Sequence, residues 1–347
     1  LDDCMELKRM YDTSEINNPA FAYDADSMAT ATARTSRSWE PFRITWTGNG
    51  KQIGILGILE KTFRGAFYLW NLFYSTIFVA LSSNLKNEIM TKERFIQLMR
   101  ENVTDFAPAI SCADGSWAVK GFIDIHKTIY TISTDTKIVS KILELYIFPK
   151  ILDFANRNEL KIELTKEQNF YPDITFKDKE GNLFAVDLKS SYRKTETHIN
   201  GMTLGAFTGY FRDRKSLKNI THPYEEYKAH IVLGIIYTPV EGIDERQTYT
   251  LEQLEDIASV VKDFDFFVQE KWKIATDRPG SGNTKNIGSI SKIEDLKNGN
   301  GPFAPFGETV FDDYWTHYLT KDMAKAAELT APYYSNLPEY KRFKNIL

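Results

Sequence analysis

Two segments of the chain repeat apolar residues with a helical period. Residues 87–102, "NEIMTKERFIQLMREN", predict an amphipathic helix that begins just after Met90. Residues 134–158 predict a longer helix with Thr134 or Asp135 as its N-cap, and Pro149 is expected to kink or divide it. The apolar stripe predicted for this second helix consists of Ile138, Val139, Ile142, Leu145 and Tyr146.

The pattern then changes to the alternation that is typical of strands. Residues 168–192, "QNFYPDITFKDKEGNLFAVDLKSSY", predict a hairpin whose turn lies at residues 179–182. In its second strand, Phe184, Val186 and Leu188 point to one face, while Ala185, Asp187 and Lys189 point to the other. If Phe176 pairs near Leu183, Asp173 falls beside Val186 and Asp187. The hairpin therefore predicts that two carboxylates and one ammonium group converge.

Two aspartates that lie so close repel one another unless a cation neutralises them. Carboxylate oxygens suit Mg²⁺, which also accepts phosphate oxygens, and such a metal would activate water for attack on a phosphodiester. Lys189 would add positive charge at the same phosphate or hold the attacking water. The spacing of Asp173, Asp187 and Lys189 is weak by itself, and a surface hairpin with an Asp–Lys pair is the alternative. Glu144 faces Lys137 and Lys141 and reads by default as a solvated carboxylate.

Composition and charge add two expectations. The 347 residues are 42% hydrophobic and 26% charged, as in globular proteins, with a net charge of -4. Basic residues nevertheless cluster from Lys189 to Lys218 and from Lys271 to Lys292, which indicates either a polyanion groove or two solvated faces. Cys4 and Cys112 have no metal or disulfide spacing, and a reducing cytoplasm is the expected location.

The first ninety residues differ from the rest. Residues 66–83 are apolar and uncharged but at the lower length limit of a membrane span, and no membrane attachment is expected. We expect two parts: residues 1–89 as an N-terminal extension of unknown role, or as conceptually translated upstream sequence, and residues 90–347 as the functional domain.

Several segments, in order, resemble the EcoRV-type restriction endonucleases, members of the PD-(D/E)xK nuclease superfamily. The resemblance covers roughly residues 92–320, and its most specific part is the glycine-rich loop. The segments are "TDTKIVSKILEL", "YPDITF", "AVDLKSSY", "TLGAFTGYFR", "HPYEEYKAHIVLGIIYT", "VQEKWKIA", "GSGNTKNIGSI" and "DYWTHY".

The resemblance implies roles for single residues. It makes Asp173 and Asp187 metal-binding acids, Lys189 the catalytic lysine, and Glu144 an auxiliary acid at the metal. It places Gln168 and Asn169 near the minor groove and backbone of DNA. Ser191 stands where the family has a threonine and is expected at the DNA as well. The loop residues implied to enter the major groove are Gly280, Ser281, Gly282, Asn283, Thr284 and Lys285.

The resemblance also implies a fold and an activity. The fold is α/β (α+β), restriction-endonuclease-like, with a mixed sheet of five to six strands flanked by helices. The activity is that of a homodimeric type II restriction endonuclease that uses Mg²⁺, with Mn²⁺ as a substitute, and cuts double-stranded DNA at GATATC to leave blunt ends. A restriction-modification system implies a cognate DNA methyltransferase in the same host, without direct contact.

Three alternatives stay open at this point. One is a catalytically silent, sequence-specific DNA-binding protein, and another is a repair or resolving nuclease of the same superfamily. The third is a membrane-associated protein, which only residues 66–83 suggest.

Overall fold

The structure is a computed structural model that describes residues 90–167, 169–280 and 285–346. Of the first 89 residues it describes the backbone of three strands alone. The chain divides into two compact units, Leu1–Glu88 and Ile89–Leu347. In the first unit the three strands form an antiparallel sheet in the order β1-β2-β3. They are β1 (Thr30–Thr32), β2 (Glu40–Gly48) and β3 (Lys51–Leu59). The apolar segment at residues 66–83 lies outside the described residues, and a separate role for residues 1–89 stays a prediction.

A mixed five-stranded sheet forms the centre of the second unit. Its order is β12-β10-β8-β7-β6; β8 and β10 are parallel and the other neighbours are antiparallel. Because both faces of the sheet are covered, its central strands read as nearly continuous apolar runs. This confirms the predicted fold class. The strands are β6 (Lys161–Leu164), β7 (Ile174–Lys177), β8 (Leu183–Tyr192), β10 (Tyr227–Pro239) and β12 (Val261–Glu270).

Three helices cover one face of the sheet and enclose the first core. Phe184 and Val186 point into this core, as the alternation predicted. Phe95, from the first helix, stacks on Phe184 with ring centroids 4.4 Å apart and meets Phe154 and Phe176 edge-on. The helices are α1 (Lys92–Val103), α2 (Phe106–Ile110) and α3 (Thr136–Arg157).

The opposite face carries the second core, which includes Ala185, Val232 and Phe267 from the sheet. A three-stranded sheet in the order β13-β14-β9 and five short helices pack here. Their bounds are β9 (Thr203–Ala206), β13 (Ala275–Pro279), β14 (Asn286–Ser289), α4 (Lys271–Ile274), α5 (Ile293–Asn298), α6 (Glu308–His317), α7 (Lys321–Ala326) and α8 (Leu337–Lys344).

A small sheet in the order β11-β5-β4 lies beside the start of α3. Its strands are β4 (Gly121–Ile123), β5 (Ile129–Thr131) and β11 (Thr248–Tyr249). The Glu245 carboxylate accepts from the Ser133 hydroxyl at 2.8 Å and from the Thr134 backbone N–H at 2.7 Å. These bonds connect the loop before β11 to the chain that enters α3.

The long helix α3 differs from its prediction in two ways. Asp135 is its N-cap and accepts from the Lys137 N–H at 2.8 Å, but Pro149 lies inside one continuous helix and does not divide it. The predicted stripe was also wrong in part, because Ile138, Leu145 and Tyr146 are exposed. Apolar residues surround much of this helix, so their spacing alone does not select the buried side. The residues that face the sheet are Val139, Leu143, Ile147, Ile151 and Phe154.

Within the described residues, no helix is long and apolar enough to cross a membrane.

Phe95 provides a test of the first core. Phe95→Ala should lower the free energy of unfolding by about 3–5 kcal/mol, because it removes a fully buried ring and leaves a cavity among three other rings. Urea denaturation measures this change. Phe343→Ala, at a ring that is 48% exposed, is the matched control and should cost about 1 kcal/mol or less. Equal losses for the two variants would contradict the described packing of α1.

Candidate active site

The β7–β8 hairpin brings Asp173 and Asp187 together. The Asp178 carboxylate holds the turn by accepting from the Asn182 backbone N–H and from its side-chain amide, both at 2.7 Å. The last ladder pair is Ile174 with Val186, so Asp173 lies one step beyond it, opposite Asp187. The pairing predicted from the sequence was one residue out of register, since Phe176 pairs with Phe184. The predicted convergence of the two carboxylates is nevertheless what the structure shows.

The Lys189 ammonium lies between the two carboxylates. Its Nζ is 2.7 Å from Asp187 and 3.5 Å from Asp173, and it donates to the Leu188 carbonyl at 3.1 Å. Asp173 also accepts from the Leu188 backbone N–H at 2.7 Å. Asp187 is buried, whereas Asp173 and Lys189 keep part of their surface exposed. The cluster is therefore anchored on β8 and open on one side.

The electrostatics of this cluster favour binding of a cation. Burial, and then repulsion by Asp187, raise the pKa of Asp173 to about 7. Burial lowers the pKa of Lys189, but attraction by Asp187 and Asp173 outweighs this, and the pKa lies above its usual value. The ammonium therefore stays charged, and the Asp173 carboxyl retains its proton up to about neutral pH.

The donor set fits a hard divalent cation. Asp173, Asp187 and the Leu188 carbonyl place three protein oxygens around one ammonium group. Mg²⁺ is commonly bound through one or two carboxylates, with water and phosphate oxygens as its other ligands. Residues 90–167, 169–280 and 285–346 contain no cluster of three or more acidic, histidine or cysteine side chains able to hold a metal. The two aspartates and the Leu188 carbonyl are therefore the candidate ligands, and the carbonyl is a donor that residue types alone do not indicate.

Glu144 lies on α3, and its described ion pair is with Lys141 at 2.8 Å. The sequence anticipated this partner. The hydroxyl of Ser140, one turn earlier, is 2.6 Å from that of Ser190, next to Lys189. Residues i and i+4 share a helix face, so Glu144 is on the side of α3 that meets the end of β8. A role at the metal remains a prediction for this residue.

Three strands carry the base of the glycine-rich loop. The Gly280 N–H donates to the Asn286 carbonyl at 2.9 Å, and the Phe207 N–H donates to the Lys285 carbonyl at 3.0 Å. A Cβ on Gly288 would lie 3.2 Å from the Gly280 Cα, so the hairpin requires glycine for its close approach. Ser281, Gly282, Asn283 and Thr284 lie outside the described residues.

Asp277 ties this base to the C-terminal helices, a link that sequence reasoning missed. Its carbonyl accepts from the Tyr314 hydroxyl at 2.6 Å, and its carboxylate accepts from the Leu337 N–H at 2.9 Å. The loop therefore extends from a framework that α6 and α8 hold on one side.

The other predicted DNA-binding residues differ in their settings. Asn169 is exposed next to Gln168, which lies outside the described residues. Lys285 is exposed at the end of the loop. Ser191 is buried, and its hydroxyl donates to the Asn200 carbonyl. This hydroxyl supports the end of β8, and we do not propose a DNA contact for it.

The two basic stretches present only part of their charge to solvent, and a polyanion groove along them stays a prediction. Arg193 pairs with Asp265 at 2.5 Å, and Arg214 pairs with Asp312 at 2.8 Å. The Arg212 guanidinium donates to the Tyr318 carbonyl. These cations hold the fold together. The basic residues of the two stretches that are exposed are Lys194, Lys215, Lys218, Arg278, Lys285 and Lys292.

Lys271 is buried, although the sequence counted it with the surface cations. Its ammonium lies 5.1 Å from the centroid of the Tyr171 ring, 5.4 Å from that of Phe211 and 5.6 Å from that of Tyr224. Burial lowers its pKa to about 8, although Asp187 raises it. The sequence signal for its burial was its position in "VQEKWKIA", between the ends of two apolar strands.

Comparison with known proteins agrees with this geometry. The family model for the restriction endonuclease EcoRV matches residues 113–345. The type II restriction enzyme EcoRV of Escherichia coli is 35% identical over 244 residues, which are 69% of this chain and 96% of that enzyme.

The chain belongs to the EcoRV restriction endonuclease family.

Membership of the EcoRV family confirms the predicted class of activity. The protein is a type II restriction endonuclease, a site-specific deoxyribonuclease that acts on double-stranded DNA. EcoRV-type nucleases depend in general on a divalent metal. The matched region contains the hairpin of Asp173 and Asp187, helix α3 and the glycine-rich loop. A membrane protein and a nuclease of another branch of the superfamily are thereby disfavoured.

The raised pKa of Asp173 predicts how metal binding depends on pH. Below pH 7 a cation must displace the proton of Asp173, so its apparent affinity should fall about tenfold for each unit of pH below 7 and level off above it. Calorimetric titration with Mg²⁺ between pH 5.5 and 8.5, without DNA, measures this. An affinity that stays constant over the range would contradict the raised pKa of Asp173.

Proposed function

We propose that the enzyme uses Mg²⁺ to cut both strands of the palindrome GATATC and leaves blunt ends. The observation that carries the proposal is the Asp173–Asp187–Lys189 cluster at the end of a hairpin in a chain of the EcoRV family. Water attacks the phosphorus in line, and the products carry 5′-phosphate and 3′-hydroxyl ends.

The protein groups have distinct tasks in this proposal. Asp173, Asp187 and the Leu188 carbonyl would hold the cation, and Glu144 would act as an auxiliary acid from α3. When bound, the cation supplies Lewis-acid activation and neutralises charge that develops on the phosphate. Lys189 is charged and touches both carboxylates, so it lies where it can donate to a phosphate oxygen or hold the attacking water.

Sequence recognition is assigned to the loop that ends at Gly280 and Lys285. Asn283 would serve an adenine edge and the Thr284 methyl group a thymine methyl group, while backbone groups of Gly280, Ser281 and Gly282 meet base edges. The antiparallel base of the loop supports this assignment, because a fixed base limits where these groups can reach. Gln168 and Asn169 would contact the minor groove and backbone. The central TA step is easily deformed and would add indirect readout.

Digestion of a fully sequenced plasmid by the complete chain tests the activity and its specificity together. With Mg²⁺, every new end should be blunt and lie within GATATC, as read by sequencing of the ends. Asp187→Asn should lower the cleavage rate more than about a hundredfold, because it removes half of the carboxylate pair. Glu180→Gln, at an exposed carboxylate in the turn of the same hairpin, should cut normally.

Each other outcome has its own meaning. Ends at a different palindrome would leave the chemistry intact and overturn the assignment of the loop. Full activity in Asp187→Asn would overturn the metal site. If neither Mg²⁺ nor Mn²⁺ supports cleavage while specific binding persists, the chain is a silent DNA-binding protein.

We further propose that the working form is a homodimer whose two-fold axis coincides with that of the DNA. A palindrome presents the same sequence to two copies, so each active site would cut one strand. The small sheet supports a place for the contact, because it exposes a set of large apolar side chains that a second copy would cover. These are Phe122, Ile123, Ile125 and Tyr130, together with Leu251 and Leu254 after β11. The cognate methyltransferase protects host DNA and needs no contact with this surface.

Ile125→Asp tests this surface. The side chain is 92% exposed, so the substitution should leave the fold intact while it buries a charge in the dimer. Light scattering should show the wild-type mass halved, and double-strand cleavage should fall in parallel. Leu217→Asp, at a leucine that is 62% exposed elsewhere, is the control and should remain dimeric. A dimeric Ile125→Asp variant would place the interface elsewhere, and a monomeric wild type that cuts both strands would refute the homodimer.

A further inference from the structure

We propose that the hydrogen bond between Tyr171 and His230 is a positioning device for Asp173, and that His230 is a positioning residue of the cleavage reaction. The Tyr171 hydroxyl lies 2.9 Å from Nδ1 of His230, and both side chains are buried. The inference rests on the proposed metal-binding role of Asp173.

Asp173 lies beyond the hydrogen-bonded ladder and needs an anchor on its N-terminal side. Strand β7 begins at Ile174, so the ladder restrains the chain only after the carboxylate. Before it comes Pro172, whose ring fixes φ and leaves no N–H to bond. A displacement of Tyr171 would therefore also shift the backbone of Asp173.

Tyr171 is the first residue upstream that is held from several directions. Its N–H donates to the Asn219 carbonyl at 3.1 Å, and its own carbonyl accepts from the Thr221 N–H at 2.9 Å. Its ring contacts those of Tyr210 and Tyr224, with centroids 5.3 and 6.1 Å away. Ring stacking and these backbone bonds restrain the chain, but the hydroxyl is the one described contact that connects this side chain to the central sheet by a hydrogen bond.

His230 is a firm partner for that hydroxyl. It lies on β10 and pairs with Ala185 of β8, and Ala185 precedes Asp187 by two residues and points to the same face. The His230 ring stacks on that of Tyr224, with ring centroids 3.6 Å apart. Burial, and then repulsion by Lys271 and Arg214, lower the pKa of His230 well below its usual value. The imidazole is therefore neutral at pH 7 and can keep its hydrogen bond to the hydroxyl. The sheet thus sets Asp187 directly and holds Asp173 from two sides, through the Leu188 N–H at its carboxylate and through Tyr171 at the preceding backbone.

Tyr171→Phe removes the hydroxyl and keeps the ring. We expect the Kd for Mn²⁺, measured by electron paramagnetic resonance without DNA, to rise about tenfold, since outer contacts of metal ligands have effects of this order. In cleavage of an oligonucleotide duplex, kcat should fall by a similar factor while KM for DNA stays within about twofold. Tyr334→Phe is the control, because it removes another buried hydroxyl, bonded to the Tyr314 carbonyl. It should leave both values unchanged.

A pair of substitutions at His230 provides the second test. Asparagine and leucine both remove the imidazole ring and its stacking, but only asparagine places an amide near the position of Nδ1. His230→Asn should therefore keep Mn²⁺ affinity within about threefold of wild type, whereas His230→Leu should match Tyr171→Phe. A merely structural role for the histidine would give both variants the same affinity per folded molecule. If Tyr171→Phe does not fold, this comparison decides the matter.

The outcomes separate this inference from the proposed function. If wild-type protein binds no Mn²⁺, or if Asp173→Asn binds it as tightly as wild type, the metal site itself is wrong. If wild type binds Mn²⁺ and Asp173→Asn does not, but Tyr171→Phe and His230→Leu behave like wild type, only the positioning role is overturned.

Discussion

Repulsion between two carboxylates is the constraint on which this active site depends. Asp173 and Asp187 are held opposite one another by the register of a short hairpin, and burial of the pair strengthens the repulsion. The Lys189 ammonium and the Leu188 N–H relieve part of this charge, and a cation from solution would relieve more. The unfavourable energy of the pair is offset by the packing of β7 and β8 between two cores, and its relief is the proposed source of affinity for a metal.

The two faces of the central sheet differ in role: one face packs against the first core, and the other carries the candidate active-site residues. Phe184 and Val186 face a core that helices α1 to α3 enclose, and this core contains aromatic rings in edge and stacked contacts. Ala185, Asp187 and Lys189 face the side on which the loop-bearing sheet and the C-terminal helices pack. Strand β8 therefore connects the packing of the first core directly to the candidate active-site residues on its opposite face.

The glycine-rich loop and the candidate metal site are attached to the same set of strands and helices, but they have no side chain in common. Strand β12 leads through α4 into β13, so the chain that carries Lys271 beneath the tyrosine cluster also leads to Gly280. Asp277 and the C-terminal helices hold the far side of the loop base. The segment from β12 to β13 thus connects the base of the loop to the tyrosine cluster that contains Tyr171, two residues before Asp173, and this gives a physical route by which the proposed base contacts and cleavage would be coupled.

The sequence by itself determined the local chemistry and the alternation that carries it. The faces of β8, an N-cap at Thr134 or Asp135 and the convergence of Asp173, Asp187 and Lys189 all follow from short-range rules, because caps and hairpins involve residues that are near in sequence. The register was off by one residue, since the turn depends on how Asp178 binds Asn182. Only the tertiary structure decided which side of α3 is buried, because that helix is apolar on more than one face. It also decided the partners of Lys271, Arg193 and Arg214, which come from distant segments that local patterns do not specify. The Tyr171–His230 contact, 59 residues apart, belongs to the same class.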